Sequence, residues 1–153
     1  MKKNILIIAS IAFAISVVFT SCSKDETKSA KEILTTGNWY TESQSVEMTF
    51  GTITTTMTDI DACKKDDYST FLSDGNYKVT KGTVKCDVES EAGSGTWALS
   101  DGDKSLTITD GGKSQKYSIN SISDSKAVLG INTTETAQGF TVSMKGTITF
   151  IKK

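Results

Sequence analysis

The stretch that decides the fold is residues 68–80, YSTFLSDGNYKVT. Two runs of alternating apolar and polar residues flank a Ser-Asp-Gly tripeptide at 73–75, whose glycine can adopt the positive φ that a tight turn requires. A three-residue loop of this kind predicts a type I turn closed by a glycine bulge. The resulting register pairs Phe71 with Tyr77 and Ser69 with Val79. We therefore expect a β-hairpin whose apolar side chains share one face.

The same pattern continues along the chain. Glycine-bearing turn signals recur at 101–102, 110–112 and 138–139, and regular turn spacing predicts consecutive hairpins. After residue 37 no segment keeps a helical apolar period over 11 or more residues, as an amphipathic helix would. The expected strands are 68–72, 76–84, 95–100, 104–109, 116–122, 126–133 and 139–151, with 37–46 and 48–60 supplying the first one or two pairs.

These strands carry apolar residues on one face and threonine, serine and lysine on the other, as in an antiparallel sheet with one solvated face. Closing such a meander into a barrel removes its exposed edges. We therefore expect an all-β fold: an antiparallel up-and-down meander of eight or nine strands that closes into a barrel. A short helical turn at residues 31–34 precedes it.

The first 21 residues predict a secretory signal. Lys2 and Lys3 form a positive start, residues 5–19 are apolar apart from two serines, and a small residue precedes Cys22. The apolar run is short for a membrane span, which needs about 20 residues. The alternative is a retained anchor helix, but the run ends in Thr-Ser-Cys and not in a cationic stop sequence.

Residues 19–22, Phe-Thr-Ser-Cys, resemble the lipobox of bacterial lipoproteins. The resemblance implies cleavage before Cys22 and attachment of acyl chains such as palmitate to it, which would anchor the chain in a membrane. The next residues, Ser23, Lys24, Asp25 and Glu26, resemble the surface-export signal of Bacteroides-type lipoproteins. They imply a location on the outer membrane, facing the medium; the alternative is a solvated charged tether. The expected organisation is signal peptide 1–21, lipidated tether 22–32 and barrel 33–153.

Cys63 and Cys86 remain once Cys22 is assigned to the anchor. Two thiols in an exported domain are expected to form one disulfide. They lie nearly symmetrically about the turn at 73–75, so they could meet at the open end of the hairpin. Such a bridge closes a loop of about 24 residues and contributes roughly 3.5 kcal/mol in the chain-entropy model. A redox or metal-binding thiol pair is the alternative, and the wide spacing disfavours it.

The composition excludes several function classes. The chain has no histidine, arginine or proline, and its net charge is −1. It therefore lacks the usual general base, the commonest metal ligand and the bidentate clamp for phosphate. No basic surplus exists to bind a nucleic acid. Carboxylate pairs occur at 59/61, 66/67 and 101/103, all in expected turns or strand ends. We expect no enzyme, no cofactor and no metal site.

An ordered set of residues resembles the lipocalin-like domain of Bacteroides-type surface lipoproteins, over about residues 33–153. Residues 37–39, Gly-Asn-Trp, look like the Gly-x-Trp of lipocalins. The more specific members of the set are Cys63, Asp66 and Asp67, then Phe71, Asp74 and Gly75, then Gly82, Cys86 and Asp87, and finally Gly95, Thr96, Trp97 and Leu99. The resemblance implies an up-and-down barrel whose interior can hold a small apolar ligand.

Two functions remain open at this point. In the first, the barrel binds a small apolar ligand without catalysis, in a pocket larger than ~300 Å³. The residues expected to line that cavity are Trp39, Phe71, Tyr77, Trp97, Leu99 and Phe140. In the second, the same side chains fill the core of a barrel or sandwich. That protein would act through its outer surface, in protein, glycan or adhesion contacts.

Overall fold

The computed structural model describes residues 28–86, 92–137 and 139–153. The signal segment, Cys22 and the four residues after it lie outside this range. Within it, no helix is long and apolar enough to cross a bilayer. The helix and strands are α1 Ala30–Leu34, β1 Trp39–Phe50, β2 Ile53–Met57, β3 Tyr68–Phe71, β4 Asn76–Thr80, β5 Ser94–Ser100, β6 Ser105–Asp110, β7 Lys113–Ile122, β8 Lys126–Ala137 and β9 Phe140–Lys152, with a 3-10 turn at Ala62–Lys64. The predicted all-β fold is confirmed.

Eight strands close into an antiparallel barrel. From β3 to β9 each strand pairs with the next along the chain, and β9 pairs with β1 to complete the circle. On its other side β1 pairs with β3 only at Trp39 and Tyr40. Farther along, β1 pairs instead with β2, from Val46 to Phe50. Strand β2 therefore lies at the side of the barrel and is not part of the closed circle.

The hairpin of residues 68–80 has the predicted register. Phe71 lies opposite Tyr77 and Ser69 opposite Val79. Gly75 has a φ of 88°, and its N–H donates to the carbonyl of Leu72 at 3.0 Å. Because the side chain at 74 also accepts the N–H of residue 76, the turn is stabilised by its own residues, as Asx-type turns are.

Several strand bounds differ from those expected, including that of β8, which continues from the expected end at residue 133 to Ala137. The expected boundary near residue 47 is wrong, because β1 continues to Phe50 and the chain turns at Gly51, where φ is 59°. The expected strand 76–84 ends at Thr80. Beyond that point the backbone N–H groups of Thr83 and Val84 donate to the Asp66 carboxylate instead of continuing a ladder. The expected strand 116–122 begins earlier, at Lys113.

The long strands extend past the barrel on one side. We call this region the extension: residues 46–50 of β1, all of β2, residues 131–137 of β8 and residues 140–146 of β9. It is a four-stranded sheet in the order β2-β1-β9-β8. Its threonine-rich face has cross-strand hydroxyl pairs, such as Thr49 with Thr54 at 3.1 Å. Its other face carries the apolar side chains of the extension, such as Phe50, Ile53 and Val142, together with a few polar ones.

Helix α1 covers one end of the barrel. Its start is fixed by a capping box, in which Ser29 and Glu32 satisfy each other's backbone N–H groups. The helix buries Ile33 and Leu34 against the barrel core. The other buried members of this core are Trp39, Phe71, Trp97, Leu106, Ala127 and Leu129. The helical turn expected at 31–34 is present and begins at Ala30.

The predicted disulfide between Cys63 and Cys86 is confirmed, with 5.2 Å between the two Cα atoms. It joins the segment before β3 to the segment after β4, across the open end of the hairpin. Asp67 adds a second link, because its carboxylate accepts the N–H of Gly82 at 2.8 Å and the ammonium of Lys81 at 3.0 Å. The segment between β2 and β3 is therefore held against the barrel at several points.

Candidate functional site

A pocket of about 330 Å³ lies between the inner face of the barrel and the segment that joins β2 to β3. Its inward-facing wall comes from four strands. The strands contribute Trp39, Thr41 and Gln44 of β1, Tyr68 and Ser69 of β3, Tyr77 and Val79 of β4 and Phe150 of β9. The segment between β2 and β3, called the covering segment below, contributes Asp59, Ile60, Asp61, Lys64 and Asp67. The pocket is open to solvent on one side.

The floor of the pocket is formed by Trp39, which is 1% exposed. Its indole N–H donates to the carbonyl of Leu34 at 2.9 Å. The Lys152 ammonium lies over its ring, 4.6 Å from the ring centre. Because the hydrogen bond satisfies the buried indole N–H and the cation fixes the ring face, Trp39 presents a rigid aromatic surface to the pocket.

One wall combines apolar groups with a pair of hydroxyls. Trp39, Ser69 and Val79 lie side by side in one cross-strand row. The hydroxyls of Ser69 and Tyr77 are 3.0 Å apart. Burial raises the pKa of Tyr77; the hydrogen bond with Ser69 opposes this effect, and the nearby Asp110 carboxylate adds to it. The phenol is therefore neutral at physiological pH, and it can donate or accept a hydrogen bond within mostly apolar surroundings.

A second buried phenol belongs to Tyr117 of β7. Burial raises the pKa of Tyr117, with a smaller contribution from Tyr77. Both residues pack against the barrel core. Since neither hydroxyl ionises near neutral pH, the barrel interior carries polar groups without formal charge.

The rim of the pocket is polar and is held in place by specific bonds. The side-chain amide of Gln44 donates to the carbonyl of Asp59 at 2.9 Å. Lys64 and Asp61 form an ion pair on the 3-10 turn. Together with the disulfide at Cys63, these contacts fix the segment that covers one side of the pocket. The pocket lining is therefore mixed: a few apolar side chains, such as Ile60, Val79 and Phe150, stand beside polar and charged ones.

A family model of the lipocalin-like domain matches residues 35–129. The chain belongs to the lipocalin-like domain family. The match runs from just after α1 into β8 and includes the floor, the hydroxyl pair and the covering segment of the pocket. The comparison with curated proteins gave no match. The comparison with solved structures also gave none.

The lipocalin-like barrel brings together five of the six residues that the sequence suggested for a cavity. Trp39, Phe71, Tyr77, Trp97 and Leu99 all belong to the core or pack against it. Of these, Trp39 and Tyr77 line the 330 Å³ pocket. Phe71 lies beneath them, with its ring centre 5.2 Å from that of Tyr77 and 5.5 Å from that of Trp97.

Trp97 and Leu99 line a different, open hollow of about 410 Å³, which also involves Lys31 of α1 and two turns. The Trp97 indole N–H donates to the carbonyl of Leu72 at 2.9 Å, so this side chain is anchored like Trp39. Phe140 lies elsewhere: it is 61% exposed, and its ring stacks on Phe50 in the extension at 5.5 Å. The structure does not bring it to the other five.

Sequence reasoning missed several lining residues, including Gln44, Ile60 and Phe150. The alternation along β9 places Phe150 on the apolar face, and this signal could have identified it. Gln44 and Ile60 gave no such signal, because a bulge between Thr41 and Ser43 changes the alternation of β1, and the segment around Ile60 is irregular. In the described part of the chain, no three His, Cys, Asp or Glu side chains come together to hold a metal ion.

Proposed function

We propose that this lipocalin-like barrel binds a small apolar ligand, without catalysis, in the pocket above Trp39. The observation that carries the proposal is the pocket itself, whose volume of about 330 Å³ lies in the usual range for small-molecule sites of ~300–1,000 Å³. Family membership supports it, because the lipocalin-like fold is consistent with ligand binding.

The lining suggests how a ligand would be held. Val79 and Phe150, which are both part-exposed, offer aliphatic and aromatic surface that an apolar body would remove from water. The hydroxyls of Ser69 and Tyr77 offer one polar contact point. Polar groups placed at fixed points of a pocket serve to orient one small molecule.

The groups around the pocket favour binding over reaction. Tyr77 is a weaker acid than a free phenol, since its pKa is raised. At the entrance, the carboxylates of Asp61 and Asp67 are paired with Lys64 and Lys81. The chain contains no histidine to serve as a general base.

A neutral fluorescent probe, N-phenyl-1-naphthylamine, tests this proposal. Val79→Trp fills the pocket from β4, whereas the matched control Lys78→Trp places the same ring on the outer face of the same strand. We expect the probe to bind the unchanged protein and the Lys78→Trp variant alike. Val79→Trp should weaken binding roughly tenfold or more, which corresponds to at least about 1.4 kcal/mol. Equal binding by all three proteins, each with an unchanged β-sheet spectrum, would refute the pocket as the site.

The extension offers a second apolar surface, so the probe experiment needs one more variant. Phe140→Ser removes an exposed aromatic ring from the extension and leaves the pocket lining unchanged. If the probe binds in the pocket, this variant retains the affinity of the unchanged protein. If its affinity falls while that of Val79→Trp does not, the probe binds the extension.

We further propose that residues 1–21 are removed and that Cys22 carries the acyl chains that hold the protein on the outer membrane, facing the medium. The described chain enters the barrel at the α1 end, where the Lys28 ammonium pairs with Asp124 at 2.8 Å. Mass analysis of the native protein should find an acylated Cys22 at its amino terminus; retention of residues 1–21 would refute the anchor.

A further inference from the structure

Strand β2 is an open sheet edge. It pairs with β1 on one side, and on its other side no strand among residues 28–86, 92–137 and 139–153 pairs with it. All five of its residues are exposed. Natural edge strands are usually protected by a charge, a proline or a bulge, and the sequence Ile-Thr-Thr-Thr-Met of β2 contains none of these.

The residues around β2 form an approximate palindrome. Residues 52–58 read Thr-Ile-Thr-Thr-Thr-Met-Thr, with Thr55 at the centre. If a second copy of this strand pairs antiparallel about Thr55, Ile53 faces Met57 of the other copy. Every threonine then faces a threonine. Both kinds of cross-strand pair are favourable in sheets, so the strand is complementary to itself in this register.

The face that such pairing would extend already carries exposed apolar side chains. Ile53 is 67% exposed and Met57 is 41% exposed. On β1, Phe50 is opposite Ile53 and Val46 is opposite Met57. Phe50 in turn stacks on Phe140. Large exposed apolar patches are rare on monomeric proteins, and where they occur they usually mark contact surfaces.

We propose that two copies of this chain associate through β2, antiparallel and about a two-fold axis at Thr55, to form one continuous eight-stranded sheet from their extensions. The two-fold relation is the commonest symmetry of protein dimers, and edge-to-edge strand addition supplies the backbone hydrogen bonds. No charged residue lies between positions 52 and 58, so two copies meet without like-charge repulsion. This inference does not depend on the proposed ligand pocket.

Cysteine cross-linking in cells of the host tests the register. In the full-length chain, Thr55→Cys places the two thiols directly opposite each other, with Cβ atoms about 5 Å apart. The matched control Thr54→Cys faces residue 56 of the other copy, so its two thiols lie on a diagonal of about 7–8 Å. Disulfides form when Cα atoms are within about 6.8 Å, so we expect roughly tenfold more covalent dimer from Thr55→Cys.

The dimer yield of the unsubstituted chain measures any cross-linking through its own cysteines, and this yield is subtracted from that of each variant. Equal dimer yields from the two variants, or no covalent dimer from Thr55→Cys, would overturn the proposal. A cross-linked product whose mass is not twice that of the chain would also overturn it, since the edge would then pair with another protein.

A second variant tests the association without a covalent bond. Thr55→Lys places two like charges opposite each other at the axis, and because Thr55 is exposed the change leaves the barrel intact. Native mass spectrometry of protein extracted in mild detergent should show dimer for the unchanged chain. For Thr55→Lys the dimer-to-monomer ratio should be at least about tenfold lower. An unchanged ratio contradicts β2 pairing.

Discussion

The ammonium nitrogen of Lys152 lies 4.6 Å from the centre of the Trp39 ring. The two residues are also register partners, at the end of β9 and the start of β1. The same ammonium donates to the carbonyl of Ile33 and to the hydroxyl of Thr36, each at 2.8 Å. One lysine therefore ties together the first strand, the last strand and the chain around α1, directly beneath the pocket.

Replacing this lysine should destabilise the barrel. Lys152→Met keeps the aliphatic stem but removes the cation and both hydrogen bonds, so we expect the free energy of unfolding to fall by about 2 kcal/mol. The matched control is Lys153→Met, because Lys153 lies over the Tyr40 ring at 4.8 Å but in an exposed position. We expect this variant to lower the free energy of unfolding by at most about 0.5–1 kcal/mol. Urea unfolding followed by tryptophan fluorescence measures both. Equal losses for the two variants would show that the Trp39 contact has no special role.

The disulfide should account for a large part of the stability. Replacing both Cys63 and Cys86 with serine releases a loop with a sequence separation of 23, and the chain-entropy model gives a loss of about 3.5 kcal/mol. The measurement is the urea midpoint of the double variant compared with that of the unchanged protein. If the midpoint does not move, the contacts of Asp66 and Asp67 alone hold the segment between β2 and β3.

Asp66 should make stability depend on pH in the acid range. Its pKa is lowered from 3.8, first by the backbone N–H of Val84; burial opposes this effect, and the contacts with Thr83 lower the pKa further. A carboxyl whose pKa is lower in the folded state stabilises the protein above the unfolded pKa. That stability is lost as the pH falls through the folded pKa. We therefore expect stability to decline from near pH 3.8 downward.

Asp66→Asn isolates this contribution. Near neutral pH the variant should be less stable than the unchanged protein, because an amide binds the N–H groups of residues 83 and 84 less strongly than a carboxylate does. As the pH falls below 3.8, the two unfolding free energies should converge, since the carboxyl of the unchanged protein then becomes protonated. A difference that stays constant from neutral to acid pH would contradict this role of Asp66.

The hydroxyl pair in the pocket should be measurable as a coupling energy. Ser69→Ala and Tyr77→Phe each remove one partner of the 3.0 Å contact. In a double-mutant cycle we expect a coupling of about 0.5–1.5 kcal/mol, the usual net value of a neutral hydrogen bond. Urea unfolding of the unchanged protein, the two single variants and the double variant gives this coupling energy. A coupling of zero would mean that the two hydroxyls are bonded to other groups in solution.

Local chemistry determined which parts of the fold could be predicted from sequence. The 68–80 hairpin and its register follow from the Ser-Asp-Gly turn, because a three-residue loop ending in glycine fixes which residues face each other. This pairing requires no contact with residues that are distant in the sequence. The disulfide follows in the same way from the symmetry of Cys63 and Cys86 about that turn.

Tertiary pairing decided the parts that could not be predicted. Alternation shows which face of a strand is apolar, but not where a barrel closes, so it could not show that Phe140 lies on the extension. The end of β1 at Phe50 depends on its partners in β2 and β9. The covering segment near Ile60 has no local pattern, and the distant bond between Gln44 and Asp59 helps to place it.

The central claim is that the pocket above Trp39 holds a small ligand. Native mass spectrometry of protein purified from its own host tests this most directly, using the unchanged chain and Val79→Trp side by side. We expect the unchanged chain to carry a small molecule of defined mass, and Val79→Trp, with the same fold, to carry little or none. An unchanged chain of bare protein mass, or an adduct that Val79→Trp retains in full, would contradict it.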